Sequence, residues 1–382
     1  MSHRIYLDYA ATTPVLPTVV KAMEPWVGER FGNPSSLYEE GRLARTAIDG
    51  ARETLADAFG CLFGEVVFTS SGTEAANMAL VGAALAADGS RRTFLISASE
   101  HHCVLNTRPI LERLGYRVNL VPVDSCGRIE TDALAAMMDD TVLLVSAMHA
   151  NNETGVYNDV TSVSELARTH GALFHCDSVQ TFPGARVDTL GADLASLSAH
   201  KFGGPKGAGA LYVKAGSKIA PVTLGGGQER EMRAGTENVA AIVGMAEAVR
   251  STIGDTMRAA LKGAALSAFM NALRRQNAPP FIETATKAER LPGHLHGRFV
   301  GVSAESLLIR LDQMGVAASA GAACSSGSIE PSHVLQAAGW GDEASEAVRM
   351  TFGAETTTGE AEEAAVRVAF AASQVASASS RS

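Results

Sequence analysis

A lysine able to lose its proton, a carboxylate at the end of a strand and a glycine-rich turn opening a helix are the parts this sequence offers for chemistry. The lysine is Lys201, in SAHKFGGPKGAGALYV, set between an apolar run and a glycine-rich turn where its amine can project into a cleft. Such an amine can add to a carbonyl, which makes Lys201 a Schiff-base candidate and a carrier of protons at a neighbouring carbon. Lys206 competes on residue type alone, and an isolated His-Lys pair beside a turn reads as ordinary surface. Its partners change that weighting. Asp177 closes the run ALFHCD, and a buried carboxylate there can pair with a protonated ring nitrogen. Left unpaired it would be costly to bury. Gln180, three residues on, is placed to hydrogen-bond a ring oxygen. Taken alone, Asp177 could equally cap a following helix.

FTSSGTEAANMAL at 68–80 runs from a strand through a Ser/Gly/Thr turn into an amphipathic helix, an arrangement that offers backbone N–H groups to a phosphate. Gly72 and Thr73 fall at that helix start, although Ser-Gly-Thr-Glu also serves as a plain helix cap. Ser198 and His200, beside Lys201, can add hydrogen bonds to the same phosphate. EHHCVLN at 100–106 follows another strand end, and an imidazole there can stack on a ring and exchange protons near neutral pH. His101 is preferred to His102 for that place. A lysine, a pyridinium partner, a phosphate cradle and a stacking imidazole together describe a site for pyridoxal 5'-phosphate.

The elements that must position these groups are legible as alternating patterns. The apolar, β-rich runs EVVFTS (65–70), RTFLIS (92–97), TVLLVSAMH (141–149), ALFHCD (172–177) and DLASLSAH (193–200) alternate with helical segments. They imply an α/β fold with a mostly parallel sheet, helices on both faces, and chemistry at the carboxyl ends of the strands. GAGALYVK at 207–214 follows after a short turn and is expected antiparallel in the same sheet. From Asn238 to Gln276 the pattern reads as continuously helical, a connector into a smaller domain, and the last dozen residues read as frayed. The expected division is a large domain over 15–257 and a small α+β domain of 1–14 with 258–382.

Composition narrows the function classes. The 382 residues are 46% hydrophobic, enough for a large core in two domains, and the formal charge is −9 with no Lys/Arg-rich run. Neither nucleic acid nor an anionic membrane surface is an expected partner. The start has no apolar core of a signal peptide, and the cytoplasm is the expected location. Five cysteines, at 61, 103, 126, 176 and 324, lack framework spacing and read as reduced thiols. Cys103 and Cys176 each adjoin a histidine, but there is no CxxC pair and no metal is expected. Cys324 is set apart by its Ala, Gly and Ser neighbours, which disfavour tight packing and suit a thiol that moves.

Together the motifs resemble the cysteine desulfurases, fold-type I pyridoxal-phosphate enzymes of the class V aminotransferase superfamily, in the nitrogen-fixation-type branch. The resemblance is carried by YLDYAATTP (6–14), FGNPSS (31–36), FTSSGTE (68–74), EHH (100–102), HANNETG (149–155), the Ser198–Lys201 stretch, GPKG (204–207), GGGQEREMRAGTENV (225–239), SAGAACSSGSIEPSHVL (319–335) and VRMTFGAETTTGE (348–360). It implies a seven-stranded sheet in the large domain. It also implies that Lys201 binds the cofactor, Asp177 the pyridinium, Gln180 the ring oxygen, and that His101 stacks as acid or base. Thr73, Ser198 and His200 become phosphate ligands. Thr236 would reach the cofactor of the other subunit of a homodimer. Asn152 and Arg349 match positions that hold a substrate carboxylate, a task suited to the guanidinium fork. Cys324 matches the cysteine that takes sulfur from L-cysteine as a persulfide and leaves alanine, for delivery to an acceptor such as an iron–sulfur scaffold. Gly353-Ala354 departs from the family's usual glycine-arginine, and the segment before LPGHLHGRFVG is atypical. The rival readings are a selenocysteine lyase or related small-substrate enzyme, and a non-catalytic sulfur-relay subunit.

Overall fold

The structure, a computed structural model, describes residues 4–321 and 332–379. Its strands are β1 (Ile5–Tyr6), β2 (Val66–Thr69), β3 (Thr93–Ser97), β4 (Arg117–Val121), β5 (Val142–Met148), β6 (Leu173–Asp177), β7 (Leu194–Ser198), β8 (Gly209–Val213), β9 (Phe281–Glu283), β10 (His294–Phe299), β11 (Val316–Ala317) and β12 (Ala347–Thr351). Seven of them form one sheet in the order β2-β8-β7-β6-β5-β3-β4. Only β8 runs against its neighbours, as its short connection from β7 requires. The strands alternate their side chains between two apolar layers. Phe94 and Ile96 join Leu144, Leu194 and Leu211 against the Gly72–Ala86 helix. Leu95, Val145 and Phe174 face the opposite layer, built on the Pro17–Val27, Glu39–Phe59 and Val239–Thr252 helices. Each large aliphatic or aromatic side chain buried in this way contributes about 1.5–3 kcal/mol.

A second core gathers Ile5 and Leu7 with Phe269, Leu295, Leu307, Met350 and Phe352. There β12, β10 and β9 form an antiparallel sheet, while β1 pairs in parallel with β11. The N-terminal strand therefore belongs to the core of the C-terminal part of the chain.

Register decides what meets at the functional end of the large sheet. Met148 pairs with Asp177, and Asp177 with Ser196, so β5, β6 and β7 finish side by side. β12 is bridged through Thr351 to Asp8, which draws the N-terminal segment toward those strand ends.

Three expectations need correction. The helical stretch from Asn238 to Gln276 is two helices, Val239–Thr252 and Thr256–Arg274. Gly254, at φ +69°, turns the chain, and Asp255 accepts from the N–H of Arg258 to start the second. The described C-terminal residues are not frayed: one helix runs Thr358–Ser379, with Val375 and Ala376 packed on the second core and Gln374 accepting from Arg310 at 2.6 Å. Finally, β4 has no counterpart among the runs read from sequence; it is an edge strand, exposed at alternate and adjacent positions.

Candidate active site

At the carboxyl ends of β5, β6 and β7 lies a cavity of about 350 Å³, walled also by the start of the Gly72–Ala86 helix, the N-terminal segment and Arg349. β7 passes directly into the short 3-10 helix Ala199–Lys201, which carries Lys201 across the strand ends. Its Nζ donates to the carbonyls of Ala10 at 2.6 Å and Ala11 at 3.0 Å. Lys206 is exposed and away from the cavity. Asp177 is 7% exposed and its Oδ1 accepts from the Val179 N–H at 2.9 Å. Burial holds its carboxyl above the usual range, opposed by that N–H and by the Lys201 ammonium. Gln180 lines the same wall and its Nε2 donates to Ala10 O at 3.1 Å.

Ser71 caps the Gly72–Ala86 helix by accepting from the Glu74 N–H, and the leading N–H groups of the helix lie outside its own hydrogen-bond ladder. Gly72 and Thr73 line the cavity at that point, with Ser198 and His200 beside them. Two glycines make the cradle possible. A Cβ on Gly72 would stand 2.8 Å from Val179 Cγ2, and one on Gly209 would stand 2.5 Å from the Ser71 carbonyl carbon. Any larger residue would push the turn off the sheet.

His101 enters as the residue capping His102–Leu105, its Nδ1 accepting from the Cys103 N–H at 3.1 Å. Burial, with the Lys201 charge, pushes its pKa down to about 4. The ring is therefore neutral at physiological pH and carries its proton on Nε2. His102 does not line the cavity; its Nε2 shares a hydrogen bond with His333 Nδ1 at 2.9 Å. Cys103 is part of the wall.

Arg349, 2% exposed on β12, closes the far side. Nη2 contacts Asp8 Oδ1 at 2.8 Å and Nη1 donates to Asn152 O at 2.7 Å, while Nε has no partner among the described residues. Asp8 was assigned no role by the sequence, although YLDYAATTP is among its distinctive motifs. Nor were the Ala10 and Ala11 carbonyls, since backbone acceptors leave no mark in residue type. Gly353, beside the atypical Ala354, is fixed by packing: a Cβ would stand 2.2 Å from the Tyr9 ring.

Ten of the residues singled out from sequence thus share one cavity: Lys201, Asp177, Gln180, His101, Gly72, Thr73, Ser198, His200, Asn152 and Arg349. Thr236 is exposed and does not line it. Cys324 lies outside the described residues. A buried carboxylate, a helix start that a Cβ would block, and a lysine at the same opening fit pyridoxal phosphate, with Asp177 toward the ring nitrogen and Gly72, Thr73, Ser198 and His200 toward the phosphate.

Burial of imidazoles has a consequence for stability. His175, His294 and His296 are essentially inaccessible, and burial pushes each pKa down to about 3. The folded chain refuses protons that the unfolded chain takes up below the usual imidazole range, so stability falls as pH drops from about 6.5 toward 3. Each of these histidines is expected to cost about 2 kcal/mol between pH 6.5 and 5. Urea midpoints measured at those two pH values check this, and equal midpoints contradict it.

The family model described as "Aminotransferase class-V" matches residues 5–363. A protein from Dictyoglomus turgidum named "Cysteine desulfurase IscS" is 43% identical over 362 residues, covering 94% of this chain and 91% of that one. A solved structure titled as a NifS-like protein superposes with a TM-score of 0.89 at 32% identity, covering 96% of this chain and 98% of its own. Another, titled "SspA in complex with cysteine", gives a TM-score of 0.81 at 32% identity over 91% of this chain and 99% of its own.

Proposed function

The chain belongs to the class-V aminotransferase family and is a pyridoxal-phosphate-dependent cysteine desulfurase, and on that premise we propose that the cavity holding Lys201 is where L-cysteine is converted to L-alanine. The observation that carries this reading is the convergence of Lys201, Asp177, the Gly72 helix start and Arg349 on one cavity. Pyridoxal phosphate, when bound, supplies an electron sink for the pair released at the substrate Cα. Arg349 takes the carboxylate of L-cysteine, its fork already oriented by Asp8 and the Asn152 carbonyl. Asn152 borders the same end. Lys201 would hold the cofactor and carry the Cα proton. Asp177 would keep the ring nitrogen protonated, Gln180 would hold the ring oxygen, and neutral His101 would stack and exchange protons. Cys324, as thiolate, bonds to the substrate sulfur while the carbon–sulfur bond breaks. The bonding pair returns to carbon, which takes a proton and leaves as alanine, and Cys324 is left as a persulfide. Alanine released per L-cysteine consumed is the assay that tests the reading.

The working unit in this reading is a homodimer in which Thr236 completes the partner's phosphate site. In support, Thr236 is exposed away from its own cavity, and Phe31, Leu37 and Leu224 are each more than three-quarters exposed. Its segment is also held in one shape: Glu229, Arg230 and Glu231 adopt φ of +47°, +56° and +67°, and buried Glu229 accepts from the Phe68 N–H at 2.8 Å and pairs with Arg52. Thr236→Ala is expected to weaken cofactor retention about tenfold by loss of one charge-assisted hydrogen bond. Mixed dimers of Lys201→Ala and Thr236→Ala chains should then regain activity, because one of their two sites is intact. No recovery on mixing contradicts a shared site.

The same reading takes residues 15–257 and 1–14 with 258–382 as the two domains, supported by their separate cores. It places the protein in the cytoplasm, where thiols such as Cys61, Cys126 and Cys176, all unbridged, persist. The acceptor is an iron–sulfur cluster scaffold or another thiolation system; pulling labelled sulfur from Cys324 onto a purified scaffold protein distinguishes the first.

A further inference from the structure

Beneath the cavity floor runs a second polar layer that the reading above does not use. Residues two apart on a strand share a face. Met148, Asp177 and Ser198 line the cavity, so Ser146, His175 and Ser196 lie one step deeper on the same face of β5, β6 and β7. All three are inaccessible, and they are linked: Ser146 Oγ contacts His175 Nδ1 at 2.9 Å, and His175 Nε2 contacts Ser196 Oγ at 2.8 Å. The row ends on Glu100, also inaccessible, whose Oε1 accepts from Ser146 Oγ at 3.0 Å. Its Oε2 is buried with no partner among the described residues.

The protons along this row can be placed. Ser146 has one hydrogen and gives it to Glu100, so it must accept from His175 Nδ1–H. His175 is neutral, its pKa pushed down to about 3 by burial, so its Nε2 accepts from Ser196. With Glu100 as the acceptor, the bonds of the row point toward its Oε1. Oε2 is left either as an unpartnered anionic oxygen or as the O–H of a carboxylic acid. The groups facing Glu100 decide between them. Asp177 acts on it through space from β6, Ser146 hydrogen-bonds its Oε1, the nearby His101 N–H works against the upward shift, and His333 holds only its backbone carbonyl, at 2.8 Å. Burial, and then the Asp177 charge, hold the Glu100 carboxyl well above the usual carboxylate range. Two carboxyls buried together do not both ionise. Asp177 is the one with the Lys201 ammonium and the Val179 N–H to stabilise its charge.

We propose that Glu100 is a positioning residue that stays protonated at the end of the Ser196–His175–Ser146 row and so leaves Asp177 as the one anion of the Asp177–Glu100 pair. The assignment of Asp177 to a ring nitrogen rests on the desulfurase reading; the protonation of Glu100 does not. A carboxylic acid kept neutral by a neighbouring anion keeps one negative charge, not two, on the Asp177–Glu100 pair, where a second would compete for the proton of the ring nitrogen that Asp177 would face.

Infrared difference spectra of the full chain, stripped of cofactor, test the protonation directly. At pH 7 the exposed carboxyls are ionised, so a carboxylic-acid C=O stretch present in the wild type and absent from Glu100→Gln supports the proposal. No such band, or a spectrum in this region that Glu100→Gln leaves unchanged, overturns it. The role is tested on the holoenzyme by cofactor retention and by the pH profile of its visible absorption. Gln reproduces the neutral acid, so Glu100→Gln should hold pyridoxal phosphate within about threefold of wild type, while Glu100→Ala, which leaves Ser146 without its acceptor, should fall about tenfold or more. The wild-type profile should also show a transition well above the ordinary carboxylate range that Glu100→Gln lacks. If Glu100→Gln loses the cofactor as fully as Glu100→Ala, the site needs a second anion and the proposal fails. Should either variant misfold, loss of the wild-type infrared band between pH 7 and 10 still decides the matter.

Discussion

Lys201→Ala is expected to lower the rate of alanine formation by about a thousandfold or more while leaving the fold intact. A positioned proton-transfer group is worth about 10²–10⁴ in rate, and Lys201 is also the cofactor's attachment point in the proposed mechanism. The structural cost is smaller. Removal of Nζ takes a donor from the Ala10 and Ala11 carbonyls, but Ala10 keeps Gln180 Nε2 and both border the cavity, where water can replace the lysine. Lys201→Arg should not rescue, since a guanidinium does not lose its proton in this range. Circular dichroism and thermal unfolding would separate a catalytic loss from a folding loss. Near-wild-type activity in Lys201→Ala would remove the lysine from the chemistry and raise Lys206 again, despite its exposed position.

Asp177→Asn should move stability and activity in opposite directions. Burial holds the Asp177 carboxyl above its usual range, so folding without cofactor places a reluctant anion in the floor of the site. The sign follows: the charge costs stability at pH values above the ordinary aspartate range and costs nothing below it. Asn keeps the acceptor for the Val179 N–H, adds no charge, and is expected to stabilise the cofactor-free chain at pH 7 by roughly 1–3 kcal/mol. In the proposed reading the same change removes the partner of the ring nitrogen, and it should reduce turnover by about 10²–10³. Denaturant titration of the cofactor-free chain beside a turnover assay checks both. A variant that is both inactive and less stable would mean that Asp177 serves the fold rather than the cofactor.

These opposed signs bear on how the sequence could be read. Lys201, Asp177, Gly72 and His101 were legible because each follows an apolar run whose end can be located, and parallel sheets collect such ends. The antiparallel setting of β8 followed from the shortness of its connection. What the sequence did not carry was register. Ser146, His175 and Ser196 are unremarkable in their separate strands and become a row only when β5, β6 and β7 align. Glu100 sat inside a motif noted for its histidines. Asp8 meets Arg349 only because the N-terminal strand crosses into the second core, a contact 341 positions apart in the chain. The helix at the C-terminus was missed for another reason: Ser and Ala at its end look unstructured by composition, yet Val375 and Ala376 find the second core. β4 lacked a signal because an edge strand need not bury both faces.

Asp177, Ser198 and Arg349 stand on strands whose side chains are locked by packing, while the group proposed to take sulfur, Cys324, stands in a segment of small residues. A sulfur donor must reach both the substrate and an acceptor, and the residues that hold the substrate need not move for either.

The most direct test of the account is alanine formation from L-cysteine in the presence of a thiol reductant, comparing wild type with Cys324→Ala after confirming that both hold pyridoxal phosphate. The account predicts alanine from the wild type and essentially none from the variant. Equal rates from both would show that sulfur leaves without Cys324, which contradicts the persulfide mechanism and favours a lyase such as one acting on selenocysteine.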